Sequence, residues 1–101
     1  HMLKKSKDRI KKDLRDSLMS EKEIRKIIVF GSFLVSEEPN DVDVAIFQDS
    51  NETYVDLAMR YRRLTRNISR IIPVEIIPIR HEAPNNFFLT QIKAGELIYE
   101  R

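Results

Sequence analysis

Asp41 and Asp43 stand two residues apart in the run Asp41-Val42-Asp43-Val44-Ala45-Ile46-Phe47, whose first half alternates and whose remainder is apolar. In a β-strand, residues at i and i+2 point the same way, roughly 6.5–7 Å apart at Cα. The two carboxylates therefore share one face, while Val42 and Val44 turn toward a core. Like charges held side by side repel, so the arrangement is costly unless cations sit between them. Mg²⁺ suits the position, because it prefers oxygen ligands and is usually held by one or two carboxylates plus substrate phosphates. Two such ions, about 3.5–4 Å apart, can activate an attacking oxygen and stabilise a leaving one.

A second feature precedes the aspartates. Lys26-Ile27-Ile28-Val29-Phe30 reads as a strand buried on both faces, and it stops at Gly31-Ser32. A strand that ends in glycine lets a phosphate approach the backbone, and free N–H groups in a following helical turn favour an anion. Ser32 adds a hydroxyl donor and is a good N-cap for a single turn over Phe33-Leu34-Val35. A third carboxylate, Glu75, lies between Val74 and Ile76. It reaches the same place only if its strand neighbours the Asp-Val-Asp strand; a solvent-facing edge residue would look the same.

The elements that must hold these residues follow from periodicity. Leu3, Ile10, Leu14 and Leu18 recur at helical spacing and predict an amphipathic helix over 3–19. Ser20 and Glu23 have capping-box spacing for a short second turn. Glu38-Pro39-Asn40 predicts a turn. Tyr54, Leu57, Ala58, Tyr61, Leu64 and Ile68 form a helical stripe over 52–69. Ile71 to Ile79 reads as a third strand, with Pro73 and Pro78 suggesting an edge position or strand ends. Asn85 or Asn86 opens a last helix carrying Phe88, Leu89 and Ile92, with Gly95 as its C′ residue and Leu97-Ile98-Tyr99 as an apolar tail. The expected fold class is α/β (α+β), a mixed sheet of three to four strands with helices packed on it.

Composition sets the limits. At 101 residues, 42% apolar and 34% charged, the chain suits one globular domain. His1-Met2 reads as an expression remnant, leaving 3–101 as that domain. The absence of cysteine excludes disulfides, thiolate-bound zinc and a cysteine nucleophile, and fits a reducing cytoplasm. No apolar run approaches the ~18 residues of a membrane span. A net charge of +2 does not argue for nucleic acid. From Met2 to Lys26, ten Lys/Arg stand against five acids, which as a default is a solvated helix face. Arg62, Arg66 and Arg70, with Arg63 beside them, carry the same default, against contact with a triphosphate or an acidic partner. His81 is read as a surface loop residue, and Tyr54 and Tyr61 as core.

Taken together, Phe30-Gly31-Ser32, Asp41-Val42-Asp43-Val44 and Val74-Glu75-Ile76 resemble the signature of the DNA polymerase β-type nucleotidyltransferase superfamily. The likeness covers about residues 24–99 and is nearest to the minimal nucleotidyltransferases. It implies transfer of a nucleoside monophosphate, AMP from ATP, to an acceptor hydroxyl, with Gly31 and Ser32 binding the triphosphate. It implies two Mg²⁺ ions on Asp41, Asp43 and Glu75, with Glu75 also helping to deprotonate the acceptor. It further implies a partner, an all-helical toxin of the HEPN type. The chain departs from the common pattern in three ways. Eight residues separate Ser32 from Asp41, a shorter spacer than usual. Phe33 and Ser36 stand where a basic residue and a second glycine are frequent, and Glu75 stands where Asp is. Two other readings stay open: a non-catalytic binding module of the same fold, and a basic domain that binds nucleic acid through the clusters at 3–15 and 60–70.

Overall fold

A computed structural model describes residues 2–82, 89–90, 92 and 94–101. Helix α1 spans Lys4–Leu18 and buries Ile10, Leu14 and Leu18 along one side. Several of its basic side chains are paired locally. Arg9 pairs with Asp13 at 3.2 Å, Lys12 with Asp16 at 2.7 Å, and Lys11 with both Asp8 and Glu96. The default reading of this cluster therefore holds for those residues.

Strand β1 runs Ile24–Phe30, starting two residues before the apolar run. The capping box expected at Ser20 and Glu23 does not form: Glu21 N–H donates to the Leu18 carbonyl, and the chain passes through turns into β1. Glu23 is taken by other partners. Its Oε2 accepts from the Tyr61 hydroxyl at 2.6 Å and from Arg60 Nη2 at 2.9 Å, while Arg60 also binds Glu21 and Glu52. Burial opposes ionisation of Glu23, but the Tyr61 hydroxyl, the residue's own backbone N–H and the Arg60 guanidinium outweigh it. The carboxyl is held below the ordinary glutamate range. Its stabilisation is therefore complete above the unfolded-state pKa and is lost as pH falls through the lower folded value. Tyr61→Phe is expected to cost about 1 kcal/mol at neutral pH, roughly 4–8 °C in Tm. Melting curves from pH 7 to pH 3 check this, and the variant's deficit should shrink at the acid end.

Strand β2 spans Val42–Gln48 and β3 spans Val74–Arg80. Helices α2 (Tyr54–Leu64) and α3 (Arg66–Ser69) connect them. The single helix expected over 52–69 is broken at Thr65. This fully buried residue donates its hydroxyl to the Tyr61 carbonyl at 2.9 Å and takes φ −105°, ψ 15°. Thr53 caps α2 by accepting from Asp56 N–H. Tyr61 is core as expected, but Tyr54, the first residue of α2, is more than half exposed.

The strand order is β3-β2-β1-β4, with β2 parallel to β3 and antiparallel to β1. Strand β4 is Glu96–Glu100, so the apolar tail is a fourth strand that covers the open edge of β1. β3 is the other edge, as its prolines predict. Pro73 precedes it and offers its carbonyl to Val42 N–H, and Pro78 lies within it.

Side-chain alternation gives the sheet two different faces. Ile27, Val29, Val42, Val44, Ile46 and Ile76 pack with α1 and α2 in the main core. On the other face, Ile28, Ala45 and Phe47 pack with Leu89 and Ile92. Leu89, Thr90 and Ile92 are helical; the expected helix start at Asn85 or Asn86, and Phe88, lie outside the described residues. Gly95 has no positive φ, so a left-handed cap is not what requires glycine there. A Cβ at Gly95 would strike the Val29 carbonyl and come within 2.8 Å of Phe30 Cβ. Close passage over β1 is the reason.

Candidate functional site

Three strands align Phe30, Asp43 and Glu75 in one row. Phe30 of β1 pairs with Asp43 of β2, and Asp43 pairs in parallel register with Glu75 of β3. By alternation, Asp43 and Glu75 lie on the face opposite the main core, while Val42 and Val44 are fully buried beneath it. Asp41 sits one residue before β2 rather than in it.

Gly31 ends β1 with φ 85° and ψ −162°, a backbone region that only glycine enters readily. The expected roles of the next residues shift by one. Gly31, not Ser32, holds the cap position, and Ser32–Leu34 forms a 3-10 turn with no side-chain cap. Phe33 anchors this turn in the main core at 1% exposure. Leu34 N–H donates to the Gly31 carbonyl at 3.2 Å, and Val35 and Ser36 N–H donate to that of Ser32 at 3.1 and 2.7 Å. The turn thus leaves the Ser32 and Phe33 amides unused. The Ser32 hydroxyl is exposed and makes no hydrogen bond among the described residues.

The turn and the carboxylates touch. A Cβ on Gly31 would collide with Asp43 Oδ2 and lie 3.4 Å from its carboxyl carbon. Glycine here is therefore required twice, by its dihedrals and by the carboxylate against it. Burial, followed by the charges of Asp41 and Glu75, pushes the Asp43 carboxyl above the ordinary aspartate range. None of the three acids forms an ion pair among the described residues. Asp41 and Asp43 are half-buried and Glu75 is exposed on the edge strand. An uncompensated Asp43 thus lies against the glycine turn, with the charges of Asp41 and Glu75 acting on it.

No three His, Cys, Asp or Glu side chains among the described residues make a ready metal cage. Mg²⁺ does not need one, since it keeps several waters and takes substrate phosphates as ligands. The all-oxygen donor set, and the repulsion from Asp41 and Glu75 that adds to burial in raising Asp43, fit a divalent hard cation. No helix among the described residues is long and apolar enough to cross a membrane.

The remaining singled-out residues lie elsewhere. Arg62, Arg63, Arg66 and Arg70 are exposed on the α2–α3 segment, which packs on the face away from the carboxylates, and form no ion pair among the described residues. His81 follows β3 at the end remote from Glu75, with its N–H on the Gln48 carbonyl. A cleft of about 580 Å³ lies on the helix layer between Arg9, Ile10, Pro39, Asn40 and Ile71, and contains none of the three acids. That cleft is not part of the site. One contact escapes sequence reading altogether: Lys7 of α1 donates to the Ser36 carbonyl across 29 positions. Its place in a charged helix gives no sign of it.

Residues 12–101 match the family model described as Polymerase beta, Nucleotidyltransferase. Among curated proteins, nothing matches the chain.

Proposed function

The chain belongs to the polymerase beta nucleotidyltransferase family, and on that premise we propose that it transfers AMP from ATP to an acceptor hydroxyl, with Mg²⁺ held by Asp41, Asp43 and Glu75. The observation that carries this reading is the Asp43 carboxylate set against Gly31 with no cation paired to it among the described residues, raised by burial and then by repulsion from Asp41 and Glu75. Bound Mg²⁺ would offset that repulsion, shield the triphosphate and polarise the reacting phosphoryl group.

The chain's own groups supply the rest. The Ser32 hydroxyl and the unused amides of Ser32 and Phe33 face an anion that approaches Gly31, where no side chain blocks it. The acceptor oxygen bonds to the α-phosphorus as the bond to pyrophosphate breaks, and pyrophosphate leaves. Glu75, exposed on the edge strand, accepts the proton that the acceptor hydroxyl gives up. Acceptor recognition would come from the loops, helix α1 or a second subunit, and for the last the resemblance to minimal nucleotidyltransferases makes a HEPN-type helical toxin the candidate.

Calorimetric titration with ATP is expected to give a Kd of roughly 1 μM–1 mM in Mg²⁺, and no measurable heat in excess EDTA. Equal binding with and without metal would refute the metal role. Transfer of label from α-³²P-ATP to a co-purified protein would identify the acceptor. The exposure of Glu75 favours one second reading, a binding module of this fold without turnover; ATP binding with no label transferred to a tightly bound partner would support it.

A further inference from the structure

The segment from Gly31 to Asp43 carries four acids, Glu37, Glu38, Asp41 and Asp43, and no lysine or arginine. A loop that receives a polyphosphate is thus itself strongly anionic. Helix α1 supplies a cation from outside. Lys7 Nζ donates to the Ser36 carbonyl at 2.6 Å in a part-buried contact, and lies over the Phe33 ring, 5.5 Å from its centroid. Ser36 is the residue whose N–H closes back on the Ser32 carbonyl, so one ammonium meets both the end of the turn and its buried anchor. Two residues before α1, Met2 N–H adds a tie to the Glu37 carbonyl at 2.7 Å. Among the described residues, no other cation is paired with this segment.

The geometry points to Lys7 as a positioning residue for nucleotide binding: it fixes the Gly31–Ser36 turn in the shape that presents Ser32 to a nucleoside triphosphate. The inference rests on the nucleotidyltransferase reading for the identity of the ligand, but not for the shape of the turn. Lys7 touches no reacting atom, so its removal loosens the turn and weakens binding without taking away a group that does chemistry. A part-buried ammonium on one carbonyl and one ring face can be replaced by a guanidinium, which donates and stacks as well.

The test compares Lys7→Met, Lys7→Arg and Lys12→Met, the last removing a cation that pairs with Asp16 at an exposed site on the same helix. Calorimetry with ATP and Mg²⁺ is expected to show about 10-fold weaker binding for Lys7→Met, near-complete recovery in Lys7→Arg and no change in Lys12→Met. Hydrogen exchange at the Leu34, Val35 and Ser36 amides should quicken in Lys7→Met alone, with no nucleotide present. Unchanged affinity in a folded Lys7→Met, or equal losses in Lys7→Met and Lys12→Met, would overturn the proposal. A parent chain that binds no ATP would sink the nucleotide reading itself. Exchange at the turn would then still decide whether Lys7 sets its shape, and unchanged rates would reject that too.

Discussion

Replacing both Asp41 and Asp43 by asparagine is expected to weaken Mg²⁺-dependent ATP binding by more than about 100-fold, since loss of a mere supporting partner of a metal ligand already costs 10–100-fold. The same double variant should melt no lower than the parent. Asp43 is pushed above its ordinary pKa by burial and by Asp41 and Glu75, so its ionised form opposes folding at neutral pH, and the penalty fades as pH falls through the raised folded value. Asparagine removes that penalty along with the proposed ligands. Added Mg²⁺ and ATP at ten times Kd should stabilise the parent by about 1.4 kcal/mol, roughly 4–8 °C per kcal/mol in a domain this size. The double variant should not respond. Thermal melts with and without metal and nucleotide read both effects, and a variant stabilised as much as the parent would remove these carboxylates from the site.

Gly31→Ala is the second large effect, and it should strike fold and site together. At φ 85° and ψ −162°, a Cβ costs about 1–3 kcal/mol in backbone strain. The new methyl also meets Asp43 Oδ2. A carboxylate on a rotatable bond can swing away, so the second cost falls mainly on the site: the proposed metal ligand leaves its place. Both a lower Tm and weaker Mg²⁺–ATP binding are expected, from one denaturation series and one titration. Gly95→Ala makes a useful contrast, since its obstacles are the Val29 carbonyl and the branched Ile28 side chain, which cannot swing aside so readily. It should lower stability by displacing β4 while leaving the carboxylate row intact in the fraction that folds.

The carboxylate row was legible because it is written in local terms. The period of two in Asp41-Val42-Asp43-Val44 assigns sides, and Gly31 marks a backbone that other residues avoid. Glu75 was legible as a candidate, but its place opposite Asp43 depends on the parallel pairing of β2 with β3, which no local pattern encodes. The same holds for β4: Leu97-Ile98-Tyr99 is too short to announce a strand, and it becomes one because β1 offers an open edge. The helix break at Thr65 was hidden for another reason. The apolar stripe continues through it, and only the buried hydroxyl bonding back to Tyr61 interrupts the helix. Ser20 and Glu23 show how a valid local motif loses: Arg60 and Tyr61 offer the glutamate better partners than a helix start does. Lys7 lay beyond reach altogether, since its target is fixed by how α1 crosses the turn.

The two-faced sheet has an evolutionary corollary. Val42 and Val44 are buried in the core, whereas Asp43 between them works against folding. If these acids serve the proposed reaction, a lineage released from it would meet no structural obstacle to losing Asp43, and would drift toward a sturdier, inert relative. In such descendants, the valines should outlast the aspartates.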